Sequence, residues 1–224
     1  MDQIYINKLV DSLPNEITCR KQPMKIDLIL SGGAFNGSFQ LGALYFLKEM
    51  EKRKYIIINR ISGSSIGSVL AYLYLINKLD LFYNLYSLFF HHFKKNKNLD
   101  LLKNIKTLFN FQKFASLNKK MYITYNDASK MKKIIKNKYN DIDDIYETII
   151  KSCFVPYMID GELVYKGKYI DGITPYIFKE RKNRELLYLN TTTIDKIFYT
   201  INVKNEKTSI QRILAGLIEM NFYF

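Results

Sequence analysis

Five residues, Gly63-Ser64-Ser65-Ile66-Gly67, have GxSxG spacing, which presents a serine hydroxyl on a sharp turn between a strand and a helix. The chemistry this offers is attack by Ser65 on an acyl carbon. The flanking residues are small because the turn is tight, and free N–H groups at the helix start can hold an oxyanion. The serine needs a base. In the Ser-Asp-His order the histidine comes last. This chain has two histidines, His91 and His92, and both precede Asp171-Gly172. That order is therefore impossible here, and Asp171 is the leading candidate base. An ordinary Gly/Ser-rich turn would look the same at this one motif, so the pentapeptide does not decide the matter alone.

A second glycine-rich stretch lies upstream, Ser31-Gly32-Gly33-Ala34-Phe35-Asn36-Gly37. A dinucleotide loop would need glycine where the chain has Ala34, and a phosphate loop would need a lysine that is absent. The remaining reading is an oxyanion loop, whose backbone N–H groups need only close approach. Asp171 competes with Asp160-Gly161. The apolar Tyr169-Ile170 before Asp171 predicts a partly buried strand end, and burial makes a carboxylate a better proton acceptor. Asp160 falls in an expected turn. The two adjacent histidines have no zinc spacing, no calcium loop is present, and no cofactor or metal is expected.

These residues need positioning elements. Ile26 to Leu30 is a short apolar run ending at the first glycine turn, and Gly37 to about Arg53 has helical spacing. Tyr55 to Ile61 is a second β-branched run, and Ser65 to Leu79 is helical again. Two strand–turn–helix units in succession predict an α/β fold with a parallel sheet. Residues 1–24 read as a tail or edge element, with the main domain over 25–224. The aromatic and basic stretch 80–120 reads as short amphipathic helices forming an insertion. Within it, Leu85, Leu88, Phe89 and Phe93 could share one face beside His92, Lys94, Lys95 and Lys97. That face would serve either as plain core packing or as a lid touching anionic lipid. Further on, Met121 to Tyr125 reads as a strand, Ser129 to Lys138 as a short basic helix and Ile142 to Cys153 as a helix. Val164 to Ile170 reads as a hairpin, 186–189 and 197–203 as strands, and Thr208-Ser209 as the cap of a last helix. The apolar ending Phe222-Tyr223-Phe224 suggests that the natural C-terminus lies further on.

Composition limits the alternatives. The chain has 224 residues, 48% of them apolar, enough for a globular core. No apolar run spans a bilayer, and Met1 to Glu16 lacks the apolar centre of a signal peptide. Cys19 and Cys153 are too few for a disulfide framework, so a reducing compartment fits. The net charge of +13 suits an anionic surface, but abundant Lys, Asn, Ile and Tyr also follow from AT-rich coding. Eighteen Tyr and fifteen Phe with this charge raise nucleic-acid binding as a rival. The basic residues are spread rather than clustered, which argues against it.

Taken together, the three motifs resemble the patatin-like phospholipase family, which has a glycine-rich oxyanion loop, a GxSxG elbow and a distant Asp-Gly. The carrying stretches are Asp27 to Leu44, Ile61 to Ser68, and Lys151 to Pro156 leading through Gly167-Lys168-Tyr169-Ile170 to Asp171-Gly172. The likeness runs from about 26 to 175 and is weak over 80–140. It implies a three-layer α/β/α fold with a mainly parallel central sheet. It also implies a Ser65–Asp171 dyad acting on glycerolipid or phospholipid esters, independent of calcium, with Gly63, Gly67 and Gly172 as motif glycines. The oxyanion hole would draw on Gly32, Gly33, Ala34, Gly37 and Ile66. A cytoplasmic protein peripherally bound to an anionic membrane, with no nucleic-acid role, is implied. A transacylase, a neutral-lipid lipase or a weakened lipid-binding module would share the pattern. Ala34, Asn36 and Ile173 depart from the family's usual residues.

Overall fold

The computed structural model describes residues 3–108, 115–191 and 206–224. A six-stranded sheet runs β4-β3-β2-β1-β6, with β5 beside β3. Its strands are β1 (Met24–Leu30), β2 (Ile56–Ser64), β3 (Met121–Asp127), β4 (Lys132–Lys136), β5 (Tyr169–Ile170) and β6 (Glu185–Leu189). The pairs β1–β2, β1–β6 and β2–β3 are parallel, while β4 and β5 pair with β3 antiparallel. This is an α/β fold with a mainly parallel sheet. Ile26 to Leu30 are all buried, as a central parallel strand covered on both faces requires.

Helices α3 (Gly37–Lys52), α4 (Ile66–Leu75) and α7 (Ile142–Cys153) share one apolar core with Ile26, Leu28 and Leu30 of the sheet. Asp141 caps α7 by accepting from the Asp144 N–H at 2.7 Å, with acids early in the helix and Lys151 late. The last helix, α8 (Glu206–Tyr223), lies across α3. The second sheet face carries Asp27, Arg60 and Tyr122. It is covered by Tyr176 and Phe178, with the Arg60 guanidinium 4.1 Å from the centre of the Phe178 ring.

Four segments differ from the sequence expectation. Residues 3–18 form helices α1 (Gln3–Asp11) and α2 (Asn15–Thr18) rather than a tail or edge element. Ile6 and Val10, one turn apart, are buried in the core, and Arg53 joins Asp11 and Glu49. Lys132 to Lys136 is a strand, not a helix. Asp127 Oδ1 accepts from the N–H groups of Ser129 and Lys130 and from the Ser129 hydroxyl, turning the chain back into a hairpin. The aromatic stretch opens with one long helix, α5 (Asp80–Asn96), before a 3-10 turn and the short α6 (Ile105–Leu108). The last helix begins at Glu206, ahead of the expected cap, and the strand expected over 197–203 lies outside the described residues.

The α3–α8 contact is a backbone-to-backbone approach. A Cβ on Gly42 would sit 1.9 Å from the Ile213 carbonyl oxygen, and one on Gly216 would sit 2.0 Å from that of Phe39. Gly42→Ala is therefore expected to destabilise the fold by roughly 1–3 kcal/mol. The check is a lower urea midpoint with an unchanged slope.

Candidate functional site

The site is built on one edge of β3. Ile61 to Ser64 of β2 pair with Met121 to Thr124, and then β2 ends. Tyr169 and Ile170 of β5 pair with Asp127 and Asn126 further along. Because β4 occupies the other edge of β3 at those residues, β5 must take the edge that β2 has left. Ser65 follows β2 and Asp171 follows β5, so the two meet at the gap between the strands. The Asn126 amide donates to the Asp171 carbonyl at 2.7 Å.

Ser65 has φ 51° and ψ −130° between β2 and α4, a conformation strained for an L-residue. Two glycines make room for it. A Cβ on Gly63 would stand 2.4 Å from the Gly67 carbonyl oxygen, and one on Gly67 would stand 2.6 Å from that of Leu30. The Ser65 N–H donates to Ser152 Oγ at 2.9 Å. Ser152 is fully buried in the last turn of α7, and its carbonyl accepts the Gly172 N–H at 3.0 Å. The Asp171 N–H donates to the Phe154 carbonyl at 2.8 Å. One helix end therefore holds both halves of the site. Ser152 falls within the Lys151 to Pro156 stretch, where the sequence alone assigns it no role.

Asp171 is 8% exposed. Its Oδ1 accepts the Ile173 N–H at 2.7 Å, while Oδ2 is buried with no hydrogen-bond partner among the described residues. Burial pushes the carboxyl up to about 6, and the nearby Ser65 side chain and the Ile173 N–H pull it partway back. Ile173 adopts φ 54°, which turns its N–H onto the carboxylate. Asp160 has no such setting. It pairs with Lys103 and accepts from the Glu162 N–H, which holds its carboxyl below the usual range. His92 binds Asp100 and Asn98 at the end of α5, and neither histidine lines the cavity beside Ser65.

The first loop reaches the same point. A Cβ on Gly32 would lie 3.2 Å from the Ser65 Cβ. Gly33 (φ 143°) and Ala34 (φ 43°) turn the chain sharply. The N–H groups of Gly33, Ala34 and Ile66 make no hydrogen bond among the described residues. Gly37 departs from its expected place in the oxyanion hole, because its N–H already donates to the Ala34 carbonyl. Gln40 anchors the loop by donating to the Ser31 carbonyl at 2.9 Å. Arg212 of α8 donates to the Phe35 carbonyl at 3.3 Å, bringing a cation to the loop where Asn36 supplies none. A residue 177 positions from Phe35 gave no sequence signal.

Ser65 opens on a cavity of about 80 Å³ whose mouth is open to solvent. Its walls are apolar apart from Ser65, Tyr86 and Cys153, and Phe82, Leu85 and Phe89 of α5 form one side. Leu85 and Phe89 of α5 are thus turned inward, whereas Leu88 of the expected apolar face is exposed, as are Lys94 and Lys95. Among the described residues no cluster of three or more metal-binding side chains occurs, and no helix is long and apolar enough to cross a membrane.

A sequence model described as patatin-like phospholipase matches residues 28–174. No curated protein matches the chain. Among solved structures, VipD from Legionella pneumophila aligns with a TM-score of 0.43 and 13% identity. That alignment covers 79% of this chain and 52% of VipD, so the chain spans about half of that protein's length.

Two outcomes are expected. Ser152→Ala frees the elbow N–H, so labelling of Ser65 by a fluorophosphonate should slow about 10- to 100-fold. The stability cost should be only about 1 kcal/mol. Asp171 has a folded-state pKa above its unfolded one, so its burial cost is absent below about pH 4 and complete above about pH 6. Relative to the parent, Asp171→Asn should therefore gain on the order of 2–3 kcal/mol between those limits. Paired denaturant titrations at pH 4 and pH 7 measure it.

Proposed function

The chain belongs to the patatin-like phospholipase family, and we propose that it hydrolyses acyl esters of glycerolipids, in the manner of a phospholipase A, through Ser65 and Asp171. Family membership points to lipid hydrolysis in general. The observation that carries the finer reading is a buried, unpartnered carboxylate oxygen beside a strained serine, at the wall of an apolar cavity.

Each group has one task in this mechanism. Asp171 is ionised at neutral pH, yet more basic than a solvated carboxylate. It takes the Ser65 proton as Oγ attacks the ester carbonyl. The oxyanion develops against the N–H groups of Gly33, Ala34 and Ile66, at the N-terminus of α4. The acyl chain lies in the cavity, and the lyso-lipid leaves with the proton held by Asp171. Water then gives its proton to Asp171 and attacks the acyl-enzyme, and the Oγ–acyl bond breaks as Ser65 takes that proton back, releasing a fatty acid and restoring both groups. Nothing in this sequence of steps requires a Lewis acid, so hydrolysis in excess EGTA is expected. The substrate is presented by a bilayer, and peripheral contact with an anionic surface fits the net charge of +13.

The test is a series of p-nitrophenyl esters of increasing acyl length. Each methylene that enters the cavity is worth about 0.8 kcal/mol, so kcat/KM should rise about fourfold per methylene until the cavity is full. The rate should climb with pH and level off above about 6, where Asp171 is ionised. Ser65→Ala should lose on the order of 10⁴-fold or more. Residual turnover by Ser65→Ala near the parent's, or a rate indifferent to acyl length, defeats the reading.

A further inference from the structure

Several exposed apolar side chains stand on strained backbone around the site. Met131 (φ 49°) is 96% exposed, Tyr157 (φ 64°) 66% and Ile173 (φ 54°) 63%. A left-handed φ disfavours any side chain and suits glycine. An apolar group presented to water is a second cost. Here both costs fall on the same three residues, on three different loops. Nothing in the packing of the core calls for them, because at these exposures each side chain lies largely outside it.

The loops belong to the active edge of the sheet. Met131 is in the turn after β3, at the end where β2 gives way to Ser65. That turn touches both neighbouring loops. The Ala128 N–H donates to the Lys168 carbonyl at 2.7 Å, and Lys133 Nζ donates to Thr174 Oγ1 at 2.7 Å. Ile173 follows Asp171 directly. Tyr157 lies between Val155 and Ile159, which both line the Ser65 cavity. Its N–H is tied to the Glu162 carbonyl at 2.9 Å.

The charge around them has one dominant sign. Lys130, Lys132 and Lys168 are exposed and form no ion pair among the described residues, Lys168 lying over the Tyr169 ring at 5.0 Å. The nearby acids are already occupied. Asp127 is turned into its own Asx turn, Glu147 pairs with Lys151 and Lys166, and Asp160 pairs with Lys103. Glu162 is the exposed exception.

We propose that Met131, Tyr157 and Ile173 are the side chains that enter an anionic lipid bilayer, with Lys130, Lys132 and Lys168 meeting its head groups. Met131 stands between the exposed Lys130 and Lys132, and exposed apolar and cationic side chains together complement a surface whose interior is hydrocarbon and whose boundary is negative. The seated loops would set the cavity mouth and Ser65 against the lipid. This rests on the lipid-hydrolase reading and names the surface through which that site meets its substrate. It places the contact on the loops, not on the lysines of α5.

The experiment measures co-sedimentation with phosphatidylcholine vesicles, with and without phosphatidylserine, at low and high salt. All proteins carry Ser65→Ala, so that binding is read without turnover. Met131→Gly with Tyr157→Gly removes both tips and relieves both strained residues. Its melting temperature should stay level or rise, while binding to phosphatidylserine vesicles falls by roughly tenfold or more. Lys130→Glu with Lys132→Glu and Lys168→Glu should lose the same binding, and the loss should be largest at low salt. Lys94→Glu with Lys95→Glu should bind as the parent does. With Ser65 restored, the glycine pair should keep soluble-ester hydrolysis within about twofold while vesicle hydrolysis drops. Undiminished sedimentation of the glycine pair, equal loss from the α5 lysine pair, or no preference for phosphatidylserine overturns the proposal. A fluorophosphonate label on Ser65 is read separately. Labelled protein whose loop variants still bind vesicles refutes the docking surface alone. Unlabelled protein that binds vesicles through these loops supports the surface and refutes the hydrolase reading.

Discussion

Everything at the site depends on β3 being shared. A parallel strand and an antiparallel one cannot pair with the same residues on one edge, so β2 stops at Ser64 and β5 begins two residues further along. That gap is where Ser65 and Asp171 meet. The last turn of α7 closes it from the side, with Ser152 accepting the Ser65 N–H and the Phe154 carbonyl accepting that of Asp171. Both side chains are thus placed by backbone pairings inside a buried layer. A separation of 106 residues along the chain becomes a local relation across one strand edge.

The site gathers locally unfavourable groups. Ser65, Ala34 and Ile173 all have positive φ, and Asp171 is a carboxylate with a buried, unpartnered oxygen. None would persist in an isolated segment. They persist because the surroundings are over-determined. Gly172 passes so close to β3 that a Cβ would sit 2.2 Å from the Thr124 carbonyl oxygen, and Gln40 and Arg212 hold the first loop from two different helices. The same burial that raises the Asp171 carboxyl makes it a usable proton acceptor. The stability cost there underlies the reactivity proposed for Ser65.

This explains what the sequence could and could not disclose. The β1–α3 and β2–α4 units were legible, because each pairs an apolar run with a glycine turn and a helical repeat. The burial of Asp171 at a strand end was legible too, through the apolar residues preceding it. Residues 3–18 read as a tail or edge element because α1 buries only a narrow stripe, Ile6 and Val10, where it packs on α3. The strand Lys132 to Lys136 was misread because its alternation is blurred by lysines on an edge, and the Asx turn that creates it depends on Asp127 folding back on Ser129. Ser152 and Arg212 act through partners distant in the chain, and pattern alone does not carry such pairings.

Gly37 links the first loop to the elbow and the cavity, and its position shows how tightly those parts are coupled. The sequence suggested an oxyanion donor there, but its N–H is committed to Ala34. What Gly37 provides is space. A Cβ would come within 2.6 Å of Ile66 Cγ1 and 2.9 Å of Phe82 Cζ. Ile66 begins the helix that follows Ser65, and Phe82 belongs to α5, the apolar wall. The first loop, the elbow and the wall therefore meet at one point with no slack. Close-packed interiors transmit such displacements instead of absorbing them. A shift of α5, whether from a bulkier wall residue or from a bound chain, would reach Ile66 and the elbow directly. In this molecule the volume beside Ser65 and the geometry of Ser65 are a single structural variable.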